Sequence, residues 1–380
     1  MKKNINIHYP SNRGQEFFNI LRQRVDNYFK DNNIKKHGNS SMYLKTVFMF
    51  LIFTIPYLLM ILQVFTSPLA FYLLWIIMGF GMAGIGLTVM HDANHGSYSG
   101  NKKINRIMGY TLNLVGGNSY LWKIQHNQLH HAYTNIEDAD DDIYVPVFLR
   151  FSPNSKKYWI QQYQHIYVWF FYAISTLSWV TTKNFMQIFR YHKKGLITGK
   201  NKVFRLIAEE IVWKLVYYTL FIGLPVILLP VSFWTVLLAF VIMHLCIGFT
   251  LSMIFQPAHV IPTSEFPLPD NNGNMENSWA IHQLLTTSDY APDNKIFSWL
   301  IGGLNFQVVH HLFPNICHVH YMKISKIVQR TVIEHNIPYH VQPSFLVAVY
   351  NHAKMLRYIG NYDNVSGMKI FLPFVKTSIS

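Results

Sequence analysis

Long uncharged runs set the pattern of this chain. Residues 46–65 and 69–90 each offer about the ~20 apolar positions a helix needs to cross a bilayer, and only Thr66, Ser67 and Pro68 separate them. The spacing predicts two spanning helices joined in a tight hairpin. A second pair, 211–229 and 233–256, repeats the plan around Pro230, Val231 and Ser232. Lys214 lies near the start of its span and is expected to snorkel towards the interface. Two weaker segments are read as interfacial or half-buried helices: 108–121, interrupted by Gly116-Gly117 and too short to span, and 166–182, at the lower length limit. Ahead of the first span, the stretch FFNILRQRVDNYFK predicts an amphipathic helix, either on the membrane surface or with a solvated face. After the last span, residues 260–278 form a polar loop rich in Asn, Asp, Gly and Pro.

Composition agrees with the membrane reading, since 51% of the 380 residues are hydrophobic and 13% charged. The net charge of +14 would suit nucleic acid in a soluble protein, but no zinc-finger or RNP-type motif accompanies it, so anionic lipid is the better partner. Of the 32 basic residues, all but Lys214 fall outside the four spans, and neither hairpin turn carries one. Basic flanks stay cytoplasmic, so the turns are expected outside and both termini inside. The expected division is a cytoplasmic N-terminal segment 1–45, a membrane domain 46–345 and a cytoplasmic C-terminal segment 346–380. No cleavable signal is read at the start, and Cys246 and Cys317 do not form a disulfide framework.

Three polar clusters border the apolar runs: HDANH with His91 and His95, HNQLHH with His126, His130 and His131, and QVVHH with His310 and His311. In a chain with 19 histidines, about one HX3H arises by chance, so the weight rests on the three clusters together. The predicted topology puts all three on one side of the membrane. Imidazole suits iron, copper, nickel and zinc, and seven rings exceed what one four-coordinate zinc uses, so two metal ions are expected. Asp92, Asp138, Asp140 and Asp142 lie in or just after the clusters and are candidates to orient the ligands.

The order HX3H, HX3HH, QX2HH between membrane spans resembles the membrane fatty acid desaturases. The stretches LHHAYTNIEDADDDI and QVVHHLFPNICHVHY, with Gln307 opening the last cluster, resemble the front-end and bacterial linoleoyl-CoA desaturase-like branch over roughly residues 46–345. The resemblance implies an all-α integral membrane protein, with four transmembrane helices in two hairpins and a cytoplasmic helical cap holding a histidine-rich dimetal site. It implies two Fe ions ligated by His91, His95, His126, His130, His131, His310 and His311, with His259 as the eighth histidine and Gln307 on or next to a metal. Asp140 and Asp142 match family acids, Trp279, Gln283 and Thr287 match a segment bordering the acyl channel, and His318 and Tyr321 match supporting positions.

The implied reaction is oxygen-dependent desaturation of an acyl chain carried on CoA or in a lipid, with O2 as co-substrate. The chain lacks the HPGG haem signature of fused cytochrome b5 modules, so a separate electron donor is expected, ferredoxin or cytochrome b5 with its reductase. That same lack points to a bacterial inner membrane. Lys102, Lys103 and Lys123 are candidates for CoA phosphates or lipid headgroups. A hydroxylase or alkane monooxygenase of the same superfamily would share the metal logic. A histidine-rich metal transporter would need ionisable residues along its spans, and apart from His244 and Lys214, with Glu209 and Glu210 just ahead of the third, these are nearly empty. His244, in mid-span, is expected to face a cavity or a partner. The remaining histidines, His282 among them, are read as structural.

Overall fold

The computed structural model describes residues 7–10 and 14–363. It is helical almost throughout; among the described residues the only paired strands are the two-residue segments Asp289–Tyr290 and Val341–Gln342. Four helices are long and apolar enough to cross a membrane: Ser40–Ile61, Pro68–His95, Lys200–Leu228 and Phe233–His259. Their starts are set by local chemistry. The Asn39 side chain accepts the Ser41 and Met42 amides, Ser67 caps ahead of Pro68, and Ser232 accepts the Thr235 amide.

Helix ends and apolar runs do not coincide: the first helix starts at Ser40, ahead of its run, and stops at Ile61, four residues short of residue 65. The second continues beyond residue 90 to carry His91 and His95, stopping where Gly96 adopts a left-handed φ of 78°. The fourth continues to His259, and the third begins eleven residues earlier than its apolar run, at Lys200. Hydrophobicity marks the lipid-facing length of a helix, whereas backbone hydrogen bonding carries it into the polar cap.

The 166–182 segment belongs to a helix Gln164–Ser178 that continues through a π turn, Trp179–Lys183, into Asn184–Lys193. It lies against the fourth span. Gly248 permits the approach, because a Cβ there would sit 2.7 Å from the Tyr172 carbonyl oxygen, and the Thr176 hydroxyl donates to the His244 carbonyl at 2.9 Å. The 108–121 segment breaks into Lys102–Gly109 and Thr111–Leu114, turns at Gly116 (φ 92°), and restarts at the Asn118 cap of Ser119–Trp122.

One expectation needs correction. Lys214 does not snorkel: its ammonium turns inward, 3.0 Å from Glu210, and donates to the carbonyls of Gly116 and Trp179 at 2.8 and 2.7 Å. Three oxygens inside the bundle satisfy the charge where a lipid-facing route would not. The N-terminal amphipathic helix, Gln15–Asp31, follows the second of its two readings, with an exposed polar face and its apolar face packed on protein. Phe17, Phe18, Leu21, Val25 and Phe29 are buried in one core with Leu312, Phe313, Val328 and Val332. At the other end of the chain, Phe345–Asn361 packs Met355, Leu356 and Ile359 with Val260 and Met253. Helices on both sides of the expected boundaries at 45 and 345 therefore share cores with the 46–345 region.

Gly248→Ala should lower the thermal midpoint of the detergent-solubilised protein, at a cost of about 1–3 kcal/mol for forcing two packed helices apart. Unfolding followed by tryptophan fluorescence would check it, and an unchanged midpoint would mean the two backbones are not in contact.

Candidate metal centre

The histidine clusters sit on helices of unusual winding. Ile85–Met90 is a π segment immediately before His91, with the Thr88 hydroxyl returned to the Gly84 carbonyl at 2.7 Å. Lys123–His130 is a second, leading into His131–Tyr133. With i to i+5 hydrogen bonding, His131 falls one turn from His126, so HX3HH presents three rings to one space.

Four chain-distant segments meet there, and the nitrogens form two groups. His91, His95, His126 and His310 offer ligand atoms within 4.8 Å of one another, as do His130, His259 and His311. His131 lies between: its Nε2 is 3.2 Å from His126 Nε2 and 3.0 Å from His310 Nε2, while its ring stacks on His311 at 4.4 Å. Nitrogens around one tetrahedral ion stand about 3.3 Å apart, so these spacings are those of ligands sharing an ion. Convergent imidazole nitrogens at these distances are compatible with a bound cation. His130 Nε2, His311 Nε2, His95 Nε2 and both nitrogens of His259 are buried and find no partner among the described residues. The Gln307 Oε1 atom is equally buried and unpartnered, on the helix that bears His310 and His311. The residues fit a metal site of two ions.

The opposite ring edges are held. Asp140 accepts His130 Nδ1 at 3.0 Å and, through its two oxygens, the amides of Asn135 and Asp142, each at 2.9 Å. Asp142 lies 3.3 Å from His126 Nδ1 and accepts from Gln125. Tyr321 stands 3.2 Å from His310 Nδ1, and the Gln283 Oε1 accepts His311 Nδ1 at 2.7 Å. The Gln283 amide also donates to the His131 carbonyl at 3.2 Å, as does the Trp279 indole at 2.9 Å. These two side chains thus brace candidate ligands, and Thr287 is fully buried. Asp138 is exposed at a turn (φ 67°).

Asp92 has a different partner from its neighbour in sequence. Its carboxylate is 3.7 Å from His91 Nδ1 but accepts His318 Nδ1 at 2.9 Å and the His318 amide at 3.1 Å. Asp92, Cys317 and His318 are close enough to hold a metal, yet the Lys45 ammonium lies 2.7 Å from His318 Nε2, and a cation already occupies the face an ion would need. Two residues escaped sequence reasoning. Lys45 gave no signal, because a lysine at a span border reads as a flank. Asp289 is a lone acid in TTSDYAP, yet it is fully buried, accepts the Val308 amide at 2.9 Å and the Tyr339 hydroxyl, and so fixes the start of the Gln307–Leu312 helix. Burial pushes its carboxyl up to about 7 against those two donors.

Burial holds His126, His131, His310 and His311 well below the usual imidazole range, and each is pushed further by neighbouring rings. His130 goes the other way: burial opposes it, but the Asp140 and Asp142 carboxylates raise it. The four lowered rings are therefore neutral donors at pH 7.

The family model for fatty acid desaturases matches residues 67–343. A relative from Synechocystis sp. named sn-1 linoleoyl-lipid 6-desaturase is 34% identical over 357 residues, covering 93% of this chain and 98% of the relative. A protein of the same name from Arthrospira platensis is 35% identical over 344 residues, 87% of this chain and 88% of the relative. An acyl-lipid (8-3)-desaturase from Physcomitrium patens is 34% identical over 365 residues, 94% of this chain and 74% of the relative.

Gln283→Leu removes the acceptor on His311 while keeping bulk, and should cut metal retention roughly tenfold or more, read by elemental analysis of the purified protein. Wild-type metal content would show that Gln283 only packs. In the metal-free protein the unfolded chain takes up protons below about pH 6.5 while the four buried rings do not. Stability should hold above that value and fall as pH drops through it, measured as midpoint against pH.

Proposed function

Because the chain belongs to the fatty acid desaturase family, we propose that its histidine centre holds two iron ions and serves a front-end desaturase acting on acyl chains esterified in membrane lipid. The family activity removes two hydrogens from adjacent methylenes: CH2–CH2 with O2, two electrons and two protons gives CH=CH and two waters. The observation that carries the two-iron reading is the pair of imidazole groups, His91, His95, His126 and His310 against His130, His259 and His311, with His131 between them. An all-nitrogen donor set suits iron as well as zinc, and O2 chemistry requires the redox metal. Bound iron would supply the activation of O2 that lets an unactivated C–H bond be broken.

The chain's own residues do the rest. Asp140, Asp142, Tyr321 and Gln283 orient the rings. Trp122, whose ring lies 5.6 Å from His91, 5.5 Å from His95 and 4.5 Å from His126, shields one flank from water. Gln307 Oε1 completes the donor set or holds a water beside it. Lipid-linked substrate is supported by the names of the relatives, which act on linoleoyl-lipid and acyl-lipid. With basic flanks cytoplasmic, the centre and both termini lie on the inner side of a bacterial membrane, where a separate ferredoxin or cytochrome b5 would deliver electrons.

Expression in a host with a competent electron donor should add one double bond to the fed acyl chains, and His130→Ala should abolish the new product while the protein stays in the membrane fraction. Mass spectrometry of the fatty acids distinguishes a desaturated product from a hydroxylated one. Normal desaturation by purified His130→Ala would refute the ligand assignment.

A further inference from the structure

One charged residue lies in the Ser40–Ile61 helix, and it is buried. Lys45, in the second turn, is 2% exposed, so its ammonium is cut off from water and from lipid headgroups alike. A cation in that position needs an acceptor, since an ammonium can only donate. Among the described residues it has no carboxylate partner. It donates instead to His318 Nε2 at 2.7 Å, and its stem lies along the Trp299 ring, 5.2 Å from the ring centre to the ammonium.

The other nitrogen of that ring is committed. His318 Nδ1 donates to Asp92 Oδ2 at 2.9 Å, and the His318 amide donates to the same oxygen at 3.1 Å. An ammonium on one side and a carboxylate on the other fix the tautomer, with the hydrogen on Nδ1 and the lone pair on Nε2. Ammonium, imidazole and carboxylate therefore stand in line, all three buried, and Asp92 receives its countercharge through the ring. The chain leading into the first span grips both sides of His318 as well. The Lys36 carbonyl accepts the Cys317 amide at 2.8 Å, and the His37 carbonyl lies 3.1 Å from His320 Nε2.

The free end of this line is Asp92 Oδ1, and it faces a ring that lacks an acceptor. His91 Nδ1 is buried and finds no hydrogen-bond partner among the described residues, and Oδ1 stands 3.7 Å from it, less than about 1 Å beyond hydrogen-bond length. His126 and His310, in the same group, already have Asp142 and Tyr321 behind them. We infer that Lys45 is a positioning residue for the group His91, His95, His126 and His310: through His318 it holds the Asp92 carboxylate with Oδ1 turned to His91 Nδ1, which leaves His91 Nε2 as the metal donor. This rests on the two-ion reading above and goes beyond it by separating the two groups. The rings of His130 and His311 are held by Asp140 and Gln283, with no link to Lys45. Taking the ammonium away leaves His318 Nε2 without a donor and a buried carboxylate without its countercharge, and the loss falls on one group alone.

The test uses the whole detergent-solubilised protein, stripped of metal and titrated with Co2+, whose visible absorption follows each imidazole-bound ion. His95→Ala and His259→Ala mark which step of the titration belongs to which group. The wild type should take up two equivalents. Lys45→Met keeps the stem on Trp299 and removes the charge. It should bind the ion of the His130, His259 and His311 group as the wild type does and that of the His91 group about tenfold more weakly. In a His318→Gln background the same substitution should weaken nothing further, because Lys45 then has no ring to hold. Wild-type affinity at both steps in Lys45→Met would overturn the proposal, as would an equal loss at both, which is the mark of packing alone, or a further tenfold loss on top of His318→Gln. Where Lys45→Met does not accumulate in the membrane, His318→Gln is titrated by itself: a loss confined to the His91 step supports the relay, and a loss at both steps or at neither overturns it. A wild type that takes up a single equivalent refutes the two-ion reading, and the proposal falls with it.

Discussion

Neutral imidazoles packed nitrogen to nitrogen are the constraint on which this structure depends. His126, His131 and His310 bring Nε2 atoms within 3.0–3.4 Å, a distance at which two protonated rings would repel strongly and two neutral ones gain little. The arrangement is a donor set that suits cations, and it is held by everything behind the rings. That burden falls on Asp140, Asp142, Gln283 and Tyr321, and on Asp289, which holds the short helix carrying His310 and His311 from its first turn.

Helix winding solves the geometric half of the problem. An α-helix puts i and i+4 on one face, which suits HDANH, but three ligands within six residues need a wider turn. The π segments before His91 and through His126–His130 provide it. The fourth span contributes differently, carrying a candidate ligand, His259, at its last residue.

Much of this was legible in the sequence. The four spans, the three clusters and the carboxylates Asp140 and Asp142 follow from periodicity, spacing and a family resemblance. What could not be read was which partner each polar group chooses across the fold. Asp92 sits beside His91 in the chain yet serves His318, 226 residues away. Trp279 and Gln283, expected along a channel, reach the His131 carbonyl. Two small pockets are lined by Leu112, Trp179 and Val180, residues in the two segments whose hydropathy was weakest. Long-range pairing of polar groups leaves no periodic trace, and a segment that is half apolar and half polar because it lines a cavity looks like an indecisive helix.

The Glu210–Lys214 pair bears on biogenesis. A carboxylate and an ammonium at the head of the third span are costly to pass into lipid, where insertion scales put a charge at the helix centre at about 2.5–3.5 kcal/mol. Their partners are Asn118, Asn184 and the carbonyls of Gly116 and Trp179, all in segments synthesised earlier. The third helix is thus received by a half-built protein: translation order places its polar cradle in waiting, and the second hairpin completes its entry by docking on what the ribosome has already delivered.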